Sequence, residues 1–396
     1  MNPYLAVLRA PSVALLLVSQ LVARLPAGMV TIALLLHVEQ STGSYANAGV
    51  VVAVLSVGQA AAGPVGGRAA GRWGPRAVLI VTTVTTSCSL AAVAVLPELV
   101  SRPPFAAFVL LALVAGASMP PVQPTARTIY PTLVAPERVA SVLALDASLQ
   151  EVIFVVAPVA AAFAAAAAGG AAAVLLTAAV ALVGGMWFAL SGPVRRATIP
   201  RGGRAVGRVL LHPAVWPAVL VGLLLVAGSA AVEVAVVAAF ASEPPLSGAL
   251  LAVYSVSSLI GGLVFGVLSV RRWSLVRSLL VVAVGLALSG AVADFWWIGA
   301  ALFLAGLGVA PVFALTYANV STGVGPAESA EAFGWVGTGA LIGAAAGAAV
   351  AGAVVESAGA HGAFAVAASF VVLAVILTTA LTVRDAQRLR QRVGPL

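Results

Sequence analysis

Gly67-Arg68-Ala69-Ala70-Gly71-Arg72-Trp73-Gly74-Pro75-Arg76 is a short cationic segment set between two long apolar runs. Its glycines and proline mark a tight turn. Its three arginines do not sit comfortably in hydrocarbon. The flanking runs, centred near Leu55 and Ser87, are each of spanning length. A turn of this kind between such runs is what a chain shows where it leaves a bilayer and re-enters it.

The rest of the chain agrees. Hydrophobic residues make up 62% of the 396 positions and charged residues 8%. Soluble domains average about 45–50% and about 25%. The mean hydropathy is +1.13. The 20 basic and 12 acidic side chains are too few to cover the surface of a soluble protein of this size. The one cysteine, Cys88, excludes an intramolecular disulfide and a cysteine-based metal site. The pattern offers no metal-ligand cluster, phosphate-binding loop or nucleophile–base set, so neither an enzyme, a metal site nor a cofactor is expected.

Apolar runs centre near Arg24, Leu55, Ser87, Ala115, Val155, Val180, Leu225, Ile260, Gly285, Ala305, Gly343 and Val372. This predicts an all-α membrane protein of twelve transmembrane helices in two pseudo-symmetric six-helix bundles. The expected divisions are a first bundle over 1–190, a basic linker over 191–213, and a second bundle with a short basic tail over 214–396. The first run carries Arg24 in its middle and lacks a cleavage site, so it reads as a retained helix.

Every basic residue except the histidines is arginine. With both termini cytoplasmic, eighteen of the twenty arginines fall on the inner side and only Arg102 on the outer. That asymmetry is what the positive-inside rule requires. Trp296 and Trp297 then open the tenth run at the outer interface, where aromatic belts form. The positive net charge of +8 is thus assigned to the membrane, with no nucleic-acid partner.

The two halves repeat. Gly49, Gly63, Gly67 and Arg72 match Gly248, Gly262, Gly266 and Arg271 at a common offset of 199. Ala115, Gly116, Pro121 and Val122 match Ala305, Gly306, Pro311 and Val312 at an offset of 190. Duplicated helical halves point to a secondary transporter with its site between them. Here the opening segment resembles the loop motif of the major facilitator superfamily. Gly67, Arg72, Gly74 and Arg76 fit that motif, and Gly71 stands where the family usually has Asp. The resemblance implies a transporter that alternates access. Pro158, followed by alanines rather than glycines, is similar to a motif of proton-exchanging exporters, which implies export. These motif residues are expected to act in gating or structure.

Charges inside the apolar runs are costly and mark functional candidates. Arg24 and Glu151 lie at matching depths, roughly 18 Å and 16 Å from the inner face at 1.5 Å per residue. They are expected to pair, as a strut or as a binding and coupling pair. Gln20 and Thr31 share a face with Arg24. Arg127 and Asp146 bracket a short loop and are expected to form a gating or structural pair. Glu233 has no counter-charge in its half, which makes it the natural carrier of a coupling proton, with Glu151 as a second. Gln123, Tyr254, Phe313 and Tyr317 join Arg24, Gln20 and Thr31 as candidate substrate contacts.

The expected function is export of a small organic compound, a drug or metabolite, by proton antiport. The protein would act as a monomer in contact with lipid, in the inner membrane of a bacterium. The alternative is an importer or facilitator of a small metabolite, with Arg24 taking a carboxylate or phosphate.

Overall fold

The fold comes from a computed structural model, which describes residues 11–100, 103–199, 207–240, 244–266 and 270–393. The first five helices are α1 (Pro11–Thr42), α2 (Tyr45–Trp73), α3 (Pro75–Leu99), α4 (Phe105–Ala117) and α5 (Val122–Leu133). Helix α6 (Pro136–Leu190) is followed by the one-turn α7 (Gly192–Arg196) and a 3-10 turn at Arg208–Leu211. Helices α8 (Trp216–Ala239), α9 (Pro244–Phe265), α10 (Ser274–Ser289), α11 (Phe295–Gly323) and α12 (Pro326–Val393) complete the chain.

Local chemistry sets several ends. Ser44 caps α2 by accepting from Asn47 N, and Asp294 caps α11 by accepting from Trp297 N. Proline opens α3 and α6, where a missing amide costs nothing. The basic turn between α2 and α3 passes through Gly74 at φ +84°, a conformation that a side chain resists.

Among the described residues, ten helical segments are long and apolar enough to cross a membrane. The expectation of twelve spans in two six-helix bundles is therefore corrected. One cause is α6, in which the fifth and sixth apolar runs follow each other without a loop and count as one apolar segment, although they are two helical arms that meet at Gly169, φ +85°. The other is α10, whose 16 residues rise only about 24 Å against a hydrocarbon core of about 30 Å. In α12 the break is at Gly359, φ +63°. Apolar composition marks where lipid or core is met, and does not show whether a helix stops between two such regions.

Outward-facing residues such as Val57, Val81 and Phe163 are exposed and apolar, which makes this the lipid surface of a multi-pass membrane protein. Inside, the packing has two distinct ends. Met29, Leu34, Leu55, Leu90, Phe108 and Ile153 belong to a cluster built only from the first half. Leu225, Leu250, Leu286, Leu302 and Phe364 belong to one built only from the second. A third cluster joins both halves, with Leu16, Tyr130, Leu143 and Val194 against Val209, Tyr317, Phe333 and Val336. Its members lie beside Arg138, Arg195 and Arg208, so the halves close on each other at the arginine-rich end. Helices α2 and α12 touch there through backbone, at Gly63 with Gly334 and at Gly67 with Ala330. Glycine is required at these positions because a Cβ would strike the facing chain. Within the second half, Gly339, Gly343 and Gly347 seat α12 on Val219, Leu223 and Ala227 of α8.

Candidate functional site

Asp146 on α6 is the centre of the polar interior. It is fully buried, and four side chains converge on it. Its Oδ1 accepts from Gln20 Nε2 at 2.6 Å, from Arg24 Nη1 at 3.1 Å and from Tyr130 Oη at 3.3 Å. Its Oδ2 accepts from Arg127 Nε at 2.9 Å. One carboxylate is thus shared by two guanidinium groups, from α1 and α5, both buried. A buried charge survives only when paired and hydrogen-bonded in this way.

Gln123 bridges the two arginines. Its amide stands 2.7 Å from Nη2 of Arg24 and of Arg127, and 2.8 Å from the amide of Gln150. Guanidinium nitrogens only donate, so the Gln123 oxygen faces them and Gln150 presents its nitrogen. Arg127 also lies over the Tyr317 ring, with Cζ 3.4 Å from the centroid, and Phe313 stacks on Tyr317 at 5.6 Å. Arg24, Gln20, Gln123, Tyr317, Phe313, Arg127 and Asp146, expected in separate roles, are therefore one cluster. Arg24 reaches Asp146 where Glu151 was the expected partner; the Glu151 side chain lies outside the described residues. Tyr130 was not foreseen, since a tyrosine in an apolar run looks like packing until its hydroxyl is placed.

The cluster lies deep in the helix bundle. Arg24 is the fourteenth residue of α1, roughly 20 Å along it at 1.5 Å per residue. Thr31, two turns farther on the same face, is exposed although it sits mid-helix. Glu233 on α8 is exposed as well. One turn before it, Ser229 hydrogen-bonds Tyr254 at 3.0 Å. Away from the arginine-rich end the two halves have separate cores.

The closed end carries a second polar junction. Glu331 on α12 is buried; it accepts from Arg68 at 3.3 Å, from the backbone N of Gly207 at 2.8 Å and from Trp335 Nε1 at 3.5 Å. It ties the basic turn, the linker and α12 together. Sequence reasoning passed over Glu331 because it sits one turn into a helix that follows a loop. Arg72 and Arg76 of the basic turn are exposed, with Arg72 over the Trp73 ring at 5.2 Å. Of the charges assigned to loops and tail, Arg9, Arg102, Arg201, Arg204 and Glu243 lie outside the described residues, as do the side chains of Glu356, Arg388, Arg390 and Arg392. Among the described residues no group of three His, Cys, Asp or Glu is placed to hold a metal ion.

The Major Facilitator Superfamily profile matches residues 16–268 and 227–394. The chain belongs to this superfamily. Major facilitator proteins are transporters, and the chain is a transporter rather than an enzyme. Comparison with characterised proteins by sequence gives no match. Three solved structures share the fold. A bacterial homologue of the iron transporter ferroportin, in an outward-facing state, has a TM-score of 0.76 and 16% identity, with 93% of this chain and 98% of that one covered. The E. coli fucose:proton symporter has a TM-score of 0.73 and 14% identity over the same shares. The human organic anion transporter has 0.68 and 17%, again over 93% and 98%.

Membership supports the superfamily and not its drug-exporter branch. The expectation of efflux by proton antiport is corrected: the facilitators of similar fold include proton symporters for fucose and xylose. The motif behind that expectation has another use. Ala157, beside Pro158, fills the space against Gly28, where an added side chain would come within 2.7 Å of it. The small residues around Pro158 let α6 pack tightly on α1.

Proposed function

We propose that this facilitator carries a small organic anion into the cell, or lets it pass, across the cytoplasmic membrane of a bacterium. One observation carries the reading: two buried guanidinium groups share a single carboxylate inside the helix bundle. Among the described side chains the cluster holds one positive charge in excess. In a low-dielectric interior such a site favours an anion, and guanidinium suits carboxylate or phosphate geometry. Tyr317, Phe313 and Gln123 supply aromatic and amide surface for the organic part.

Alternating access would proceed by parting the arginine-rich end. That step breaks the Arg127–Tyr317 stack, the Arg68–Glu331 pair and the glycine contacts of α2 with α12. A proton accompanies the substrate in this reading, and Glu233 and Asp146 are the described acids to weigh as its carrier. Gly67, Arg72, Gly74, Arg76 and Pro158 serve gating and packing.

The test is a thermal-stability screen of the purified full chain against carboxylates, sulfate and neutral sugars, repeated with Arg24→Gln. A bound ligand raises apparent stability. Anions should stabilise the wild type and not Arg24→Gln. Stabilisation by neutral sugars alone would sink the anion reading.

A further inference from the structure

Resting on the anion reading, we infer that Asp146 takes up a proton as the anion binds, so that anion and proton enter together as a neutral pair. The argument begins with occupancy. The guanidinium donors that an arriving carboxylate needs are held by Asp146: Nη1 of Arg24 and Nε of Arg127. The incoming anion therefore competes with Asp146 for the same groups. Two ionised acids crowded onto one buried site repel each other, and one of them holds a proton.

The surroundings favour Asp146 as that acid. From α1 it faces Gln20 and Arg24, and from α5 Arg127 and Tyr130. From α11 Tyr317 reaches it only through Arg127. On its own helix Gln150 touches it through Gln123, and the Glu151 side chain lies outside the described residues. Gln20 now donates its Nε2 to Asp146 while its oxygen accepts from Arg24; once Arg24 turns to the anion, a flip of this amide presents the oxygen to the Asp146 acid proton.

Charge makes the exchange reversible. The empty cluster holds two guanidinium groups and one carboxylate. With a monoanion bound and Asp146 protonated, the sum is the same. The empty and the loaded site then carry the same buried charge, so the change of access moves the same charge with and without substrate. The proton comes from water to a carboxylate oxygen of Asp146, and returns to water on the far side when the anion leaves and both arginines close on Asp146 again. Glu233 makes no ion pair among the described residues, so its protonation frees no guanidinium.

The experiment follows protons and binding in the purified full chain. Benzoate, acetate and lactate, all monoanions from pH 7 upward, are titrated into weakly buffered protein with a pH-sensitive dye. The probe that binds should carry about one proton into the protein per anion, and its affinity should fall about tenfold per pH unit. Asp146→Asn should bind it with no proton uptake and no pH dependence, and Glu233→Gln should match the wild type. Binding without proton uptake overturns the role of Asp146 and leaves the anion reading standing. Proton uptake lost in Glu233→Gln but kept in Asp146→Asn also overturns it. Binding that survives Arg24→Gln, or no binding of any probe to the wild type, overturns the anion reading and this inference with it. Should Asp146→Asn fail to fold, the proton count of the wild type and of Glu233→Gln still decides.

Discussion

Arg127 and Tyr317 meet across the two halves of the chain, the guanidinium lying over the ring with Cζ 3.4 Å from its centroid. The same guanidinium holds Asp146 at 2.9 Å. A single side chain thus belongs both to the charge cluster inside the helix bundle and to the contact that keeps the arginine-rich end shut. A change in who pairs with Arg127 is felt directly at the closed end.

Tyr317→Ala removes the stack. A desolvated cation–π contact is worth about 0.5–2 kcal/mol, about a twofold to thirtyfold change in the ratio of states. Spin labels at the exposed Thr132 and Thr322 should show a longer-distance population growing by that factor. Tyr317→Phe keeps the ring and should resemble the wild type. An unchanged distance distribution in Tyr317→Ala would show that the stack does not hold this end.

Gly334→Val acts at the same end by another route. A side chain there runs into the backbone of Gly63 and Pro64. Overpacking costs about 1–3 kcal/mol, and only the closed arrangement bears it. The labels should again separate, now together with a lower midpoint of thermal unfolding. Gly337→Val, where a Cβ would meet nothing within 4 Å, is the matched control and should change neither.

Asp146→Ala leaves two buried guanidinium groups facing each other without their carboxylate. Breaking a buried pair costs about 3–5 kcal/mol. Adding Arg24→Gln to Asp146→Ala removes one of the stranded charges and should recover part of that loss. Denaturation of the purified variants measures both. A double variant less stable than Asp146→Ala would mean that Arg24 is held mainly by Gln20 and Gln123.

Gly343→Leu tests the seat of α12 on α8. A side chain there collides with the backbone of Leu223. The two helices have no close alternative register, because Gly339 and Gly347 are held in the same way one turn to either side. The variant should lose about 1–3 kcal/mol or more and elute broadly in size-exclusion chromatography. A monodisperse variant of wild-type stability would show that α12 can slide.

Several features were plain in the amino-acid order. The basic turn at Gly67–Arg76, the spanning length of the apolar runs and the placement of arginine are local properties, written in consecutive residues. Arg127 with Asp146 was legible because a short loop brings the two together. Helix count was not, because the two apolar runs of α6 meet at Gly169 with no polar loop between them and α10 is shorter than its run suggested. Nor was the partner of Arg24: helix rise gives depth along an axis and leaves rotation about it free.

The sequence by itself determined the solvent of this protein, its family and the handful of charges that hydrocarbon would not tolerate at random. Those follow from composition and short-range pattern, which need no knowledge of neighbours. Only the tertiary structure decided that Arg24, Arg127 and Asp146 are one group, that Glu331 locks the arginine-rich end, and that Thr31 and Glu233 stand exposed. Such facts depend on which faces of distant helices meet, and that is settled by close packing of glycine and alanine surfaces between segments far apart in the chain.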